Sequence, residues 1–205
     1  MAREPLSELW VEGPDDREVI YQICNTHGLD NRRRFEVKVA EGVDELLTRA
    51  AVPTSAPAVG YVLDADGDVG ARWEALRSRM LPRYPSFPEA PVPGGVVIPR
   101  QPGGPSRLGV WLMPDNRLPG AIEDLLLQLA PAGDPLLPYA ESVLDGLPAR
   151  RFGPTDHSKA KLHTWLAWQE EPGTRPGLAL VRRYLDIQHP EIARFAAWLR
   201  ALFTP

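Results

Sequence analysis

The stretch that most constrains this chain runs from Ala58 to Asp68, an apolar run that ends abruptly in acids. Ala58-Val59-Gly60-Tyr61-Val62-Leu63 has no polar alternation, as in a strand buried on both faces of a parallel sheet. Asp64, Asp66 and Asp68 follow at alternate positions, with Gly67 opening a turn. Alternate residues of a strand point the same way, so Asp64 and Asp66 are expected to converge beyond the strand's end. Two converging carboxylates repel unless a cation lies between them or one keeps its proton. Such oxygens suit a hard ion such as Mg²⁺, and open α/β sheets place their sites at the carboxyl ends of strands. Ordinary turn chemistry is the competing account, with Asp68 placed to cap the next helix. An EF-hand is excluded, because the sixth loop position is Val69 and the twelfth is Ala75.

The rest of the chain supplies the partners of that strand. Leu6 to Val11 has strand character and leads into Glu12-Gly13-Pro14-Asp15-Asp16. A helix is expected from about Asp16 to His27, with Val19, Ile20, Ile23 and Cys24 on one face, and Asp15 with Glu18 forms a capping-box pattern. Glu12 has no such local explanation. Arg32-Arg33-Arg34 precedes an alternating strand, Phe35 to Val39; three arginines suit a solvated loop, with phosphate contact as the less common use. Helices are expected over about Asp44 to Ala51 and Val69 to Leu81, the latter with Trp73, Leu76 and Met80 on one face. The Pro- and Gly-rich stretch from Pro82 to Pro105 holds one short apolar run, Val96 to Ile98. Arg107 to Met113 is another strand, followed by Met113-Pro114-Asp115-Asn116 and a helix from Gly120 to about Leu129, with Glu123 and Asp124 in its dipole-favoured first turn. Strand–helix repetition predicts right-handed βαβ units, hence an α/β fold with a mostly parallel, Rossmann-like sheet flanked by helices. After Pro131 only helices are expected: Pro135 to Leu147, Thr155 to Gln169, Pro176 to Ile187 and Pro190 to Phe203. The division is therefore an α/β unit, 1–130, and a helical extension, 131–205, packed on it.

Bulk properties narrow the function. The net charge of −4 argues against a general nucleic-acid coat protein, yet an acidic metal centre with local basic patches remains compatible with a nuclease. A single cysteine, Cys24, excludes an internal disulfide and a multi-cysteine metal site. No apolar stretch is long enough to span a bilayer, and Met1-Ala2-Arg3-Glu4-Pro5 does not open a signal peptide, so a cytoplasmic protein without membrane contact is expected. Gly-x-Ser-x-Gly and Gly-Lys-Ser/Thr are both absent. His157 and His163, six apart, do not share a helix face, which argues against a zinc pair.

Glu12-Gly13 at one strand end with Asp64-x-Asp66 at another resembles the Toprim domain of topoisomerases, primases, recombination factors and some nucleases. Val11-Glu12-Gly13-Pro14-Asp15-Asp16 is similar to the version in nucleases of the overcoming-lysogenisation-defect class, which carry a second acid four residues after the Glu, here Asp16. The resemblance covers about residues 6–130. Met113-Pro114-Asp115-Asn116 and His157-Ser158-Lys159 resemble a small, uncharacterised Toprim-type family. What the resemblance implies is metal-dependent phosphodiester hydrolysis of DNA or RNA with Mg²⁺ or Mn²⁺. Asp64 and Asp66 would hold one ion, and Glu12 with Asp16 a second; in a one-ion version Glu12 serves as general acid or base. Glu123 matches an acid on a later helix, with Asp124 and Asp115 competing for the part. A lysine beyond the acidic motifs is matched by either Lys159 or Lys161, near the start of a helix that Thr155 or Asp156 is expected to cap; there the charge would stabilise the cleaved phosphate. Relatives carry an ATPase that is missing here, so an ATPase partner is an expected associate, and an oligomer is compatible with the sequence. The alternative from another class is a Toprim-like module that binds nucleic acid or a partner without cutting.

Overall fold

The computed structural model describes residues 6–29 and 31–204. Residues 1–5, Asp30 and Pro205, and the side chains of Asn31 and Arg32, lie outside the described set, and with them the N-terminal pentapeptide and one arginine of the Arg32–Arg34 run. The chain folds as a five-stranded sheet with helices on both faces. In order come β1 (Ser7–Val11), α1 (Pro14–Thr26), α2 (Asn31–Arg34), β2 (Phe35–Val39), α3 (Val43–Ala51), β3 (Ala58–Asp64), α4 (Val69–Met80), β4 (Val96–Ile98) and β5 (Arg107–Met113). Then follow α5 (Ile122–Gln128), α6 (Leu136–Asp145), a 3-10 turn (Pro154–Asp156), α7 (His157–Ala167), α8 (Pro176–Val181) and α9 (Pro190–Phe203). The strand order is β2-β1-β3-β5-β4. All neighbours run parallel except β4, which lies antiparallel along β5.

Alternation along the strands divides the interior in two. Leu9, Phe35, Val37, Val62 and Trp111 face a large apolar layer shared with α1, α5, α7 and α9. Val59, Tyr61, Leu63, Val110 and Leu112 face a smaller layer under α3 and α4. The helices after residue 130 thus enclose the same apolar layer as α1 and the sheet. Two glycines set how closely α9 approaches. A Cβ added to Gly60 would lie 2.7 Å from Leu202, and one on Gly109 would lie 2.4 Å from it. Only bare backbone at these paired positions of β3 and β5 lets Leu202 seat against the sheet.

The helix expected from Pro176 to Ile187 stops at Val181. Arg183 takes a left-handed conformation (φ 61°), and the Tyr184 N–H turns back to the carbonyl of Ala179 at 3.0 Å. The Asp186 N–H then goes to the carbonyl of Leu129 at 2.8 Å, so a tertiary contact replaces the last helical turns. Among the described residues, no helix is long and apolar enough to cross a membrane.

Candidate functional site

Successive connections leave β1 and β3 in opposite directions across the sheet, which makes the gap between them the switch point of the topology. Their ladder runs from Glu8↔Val59 to Trp10↔Tyr61, and Glu12 comes directly after β1. Its carboxylate spans the gap, with Oε1 accepting the Asp64 N–H at 2.9 Å. Glu12 therefore has a structural bond that the sequence did not disclose, joining the two strand ends that carry the acids.

Each acid is placed by a local rule. Pro14 opens α1 and Gly13 is its N-cap. Asp16, three residues on, accepts the Gly13 N–H at 2.9 Å through Oδ2. The expected Asp15–Glu18 pair is thus corrected: the cap is closed by Asp16. Asp64, the last residue of β3, accepts the Ile122 N–H at the start of α5, at 3.1 Å through Oδ1. One residue into α5, Glu123 is 14% exposed and lies 4.0 Å from the Lys159 ammonium.

Asp66 departs from the expected alternation. The strand ends at Asp64, and Asp66 is left-handed (φ 51°), bonded through its backbone to Gly120 in both directions. Its carboxylate pairs with Arg72 of α4 while still lying close enough to raise the pKa of Glu12 and Asp64. Asp68 is the cap that ordinary turn chemistry required, accepting the Ala71 N–H at 2.9 Å. The rivals of Glu123 are committed elsewhere. Asp115 accepts the N–H groups of Arg117 and Leu118 at 3.0 and 2.8 Å. Asp124 accepts the Ala121 N–H at 2.7 Å and the Ser158 hydroxyl at 2.5 Å, tying α5 to α7.

The lysines also separate. Lys161 lies 2.6 Å from Glu141, whose other oxygen is 2.6 Å from His157 Nε2, and this cluster staples α7 to α6. Lys161 (2.6 Å) and His157 together hold the Glu141 carboxyl below its ordinary range. Lys159 faces Glu123 and is 55% exposed at the rim. The expected Thr155 or Asp156 cap gives way to the 3-10 turn, and Asp156 at the start of α7 makes no capping bond. A cavity of about 300 Å³ opens beside the cluster, lined by Asp66, Gly120, Asp124, Thr155 and Ser158.

The electrostatics follow from crowding acids in a half-dry cleft. Burial raises the Asp64 carboxyl well above its ordinary value, and Asp16, Glu12, Glu123 and Asp66 raise it further. Asp16 is pushed up to about 7, by burial first and then by Glu123 and Glu12. Glu12 is raised by burial, partly offset by the Asp64 N–H and Arg72. Burial raises Glu123, against the pull of its own backbone bond, Lys159 and His163. Arg72 and His163 are thus parts of the site that sequence reasoning missed; each reads as an ordinary polar position of an amphipathic helix.

Buried carboxylates that repel one another are the donor chemistry of a hard divalent ion. Among the described residues, however, no three His, Cys, Asp or Glu side chains stand together in ligating geometry. Backbone N–H groups hold one oxygen each of Glu12, Asp16 and Asp64, leaving the other oxygen of each carboxylate outside those bonds.

Fold and site together define an α/β protein with a helix-flanked, mostly parallel sheet of Rossmann-like arrangement and an acid-lined switch point. Residues 7–204 match DUF3226, a family of proteins of unknown function, and the chain belongs to that family. No curated protein and no solved structure matches it.

Proposed function

We propose that this chain is a Toprim-type hydrolase that cuts phosphodiester bonds of nucleic acid with Mg²⁺ or Mn²⁺. The observation that carries the reading is the gathering of Glu12, Asp16, Asp64 and Glu123 at the switch point, each with its carboxyl raised by burial. Burying mutually repelling acids costs stability, and that cost favours an enzyme over a module that only binds. A bound divalent ion supplies Lewis acidity toward the phosphate and acidifies its water.

The residues divide the remaining work. Asp64 and Asp66 would hold one ion and Glu12 with Asp16 a second, with Glu123 beside them and water and substrate phosphate filling each shell. Asp16, near neutrality, can release its proton to make room for a cation or accept one during turnover. Arg72 keeps Asp66 beside the cluster. Lys159, exposed at the rim and next to Glu123, is the lysine able to meet a phosphate oxygen, whereas Lys161 is occupied by Glu141. A cytoplasmic setting and an ATPase associate accompany this reading.

The experiment is incubation of the purified chain with plasmid, single-stranded DNA and RNA in Mg²⁺ or Mn²⁺. Cleavage of at least one is expected, and Glu12→Gln, which keeps the acceptor for the Asp64 N–H, should slow it by about 100-fold or more. Binding of nucleic acid without cleavage of any substrate would establish the non-cutting module instead.

A further inference from the structure

The two edges of the sheet are treated differently. At one edge β4 has three residues, preceded by Gly94-Gly95 and followed by Pro99, the short, proline-flanked form that resists pairing with another chain. At the other edge β2 has five residues, Phe35-Glu36-Val37-Lys38-Val39, with no proline. The Ala40 N–H bonds the carbonyl of Val11, so even-numbered residues of this segment turn their backbone groups toward β1. Backbone groups alternate along a strand, and those of Phe35, Val37 and Val39 therefore point outward. The sheet ends at β2, so no further strand pairs with them among the described residues.

The side chains along that edge are self-complementary. In an antiparallel pairing of two copies centred on Val37, Phe35 lies opposite the second copy's Val39 and Glu36 opposite its Lys38. Val37 exchanges both backbone bonds with its counterpart, so Glu36 and Lys38 fall at the closer, non-hydrogen-bonded positions where side chains meet. Lys38 is already held in place, 2.6 Å from Glu8 and 5.4 Å from the centre of the Trp10 ring. Glu36 is exposed, with no ion-pair partner among the described residues. A cavity of about 450 Å³, lined by Tyr21, Gln22, Asn25, Phe35 and Glu36 among others, opens beside the same edge.

We propose that the chain forms a two-fold dimer in which β2 pairs antiparallel with β2 of a second copy about Val37, sealed by reciprocal Glu36–Lys38 contacts. The operation is closed, so the interface consumes the open edge on both copies and leaves only the guarded β4 edges. None of the acid-cluster residues takes part, and the proposal stands whatever the chain hydrolyses.

The test is light scattering coupled to size exclusion, over a range of concentrations to about 100 µM, the upper end of typical transient affinities. A mass of twice 22.7 kDa is expected. Glu36→Lys and Lys38→Glu, each placing like charges opposite one another, should weaken the dimer by about tenfold or more. Mixed in equal amounts they place Lys opposite Glu at every contact and should form a heterodimer as tight as the wild-type dimer. Val37→Pro removes the central outward N–H at a position where an edge strand tolerates proline, and should give a folded monomer by circular dichroism. Monomeric wild type overturns the proposal, and so does a dimer indifferent to all three substitutions. Failure of the mixture to restore association overturns the register and with it the interface.

Discussion

The carboxyl end of the sheet and the seat of α9 are built from the same strands on opposite rules. Where α9 packs, β3 and β5 present Gly60 and Gly109, and Leu202 fills the space with its methyl groups. The contact is apolar apart from Arg107 at its edge, which donates to the Leu202 carbonyl at 3.3 Å, and the apolar surface removed from water there adds to stability. A few residues further along, the same β3 delivers Asp64 into a cluster of acids that raise one another's pKa. The first arrangement holds the fold together and the second weighs on it. A site whose groups oppose folding is retained for what it does, and the two regions should respond to substitution in opposite ways.

The largest expected effect breaks the packed region. Gly109→Ala sets a Cβ 2.4 Å from Leu202 Cδ2 and should destabilise the protein by about 1–3 kcal/mol in urea unfolding, the range for an overfilled core. Hydrolysis per folded molecule should be unchanged. A silent Gly109→Ala would show that α9 docks loosely, and the contrast would fail.

At the rim of the site the two lysines should behave in opposite ways. Lys159→Ala should lower the rate by about tenfold or more while leaving the melting temperature alone, because its ammonium is exposed and 4.0 Å from Glu123. Lys161→Ala should do the reverse. Its part-exposed pair with Glu141 is worth about 0.2–1 kcal/mol, read as a small drop in melting temperature with the rate kept. Equal loss of activity in both variants would contradict the division.

A smaller effect concerns pH. The folded-state pKa of Asp16, about 7, lies above its ordinary 3.8, so its contribution to stability is complete below about pH 4 and is lost as pH rises through 7. Burial raises Asp64, Glu12 and Glu123 in the same direction. Without added metal, the wild type should therefore lose stability between pH 5 and pH 8, on the order of 1 kcal/mol or more. Asp16→Asn, able to keep the Gly13 N–H bond, should lose less over that interval. Thermal melts at the two pH values decide it, and an equal loss would mean that Asp16 ionises without cost.

Much of this architecture was legible in the sequence. Phe35–Val39, Arg107–Met113 and Pro190–Phe203 occur as their periodicity predicts, because the apolar pattern that marks an element is the one that buries it. Glu12, Asp16, Asp64 and Glu123 were legible as acids at strand and helix ends. The course of Asp66 was not, since its left-handed turn depends on the backbone of Gly120, far along the chain. Arg72 and His163 were invisible for a similar reason: a helix position gains meaning only once the neighbouring element is placed. Lys159 and Lys161, two apart on α7, face different neighbours, and only the positions of α5 and α6 tell them apart.

On the function proposed above, the switch-point acids form a divalent-cation site. Calorimetric titration of the wild type with Mn²⁺ at pH 7 tests it directly, run in two buffers of different ionisation enthalpy. Binding with release of protons is expected, because Asp16, pushed up to about 7, is part-protonated at that pH and a cation displaces its proton. In Asp64→Asn combined with Asp16→Asn, binding should vanish while the melting temperature stays the same or rises. Undiminished Mn²⁺ binding by that folded double variant would show that these acids hold no cation.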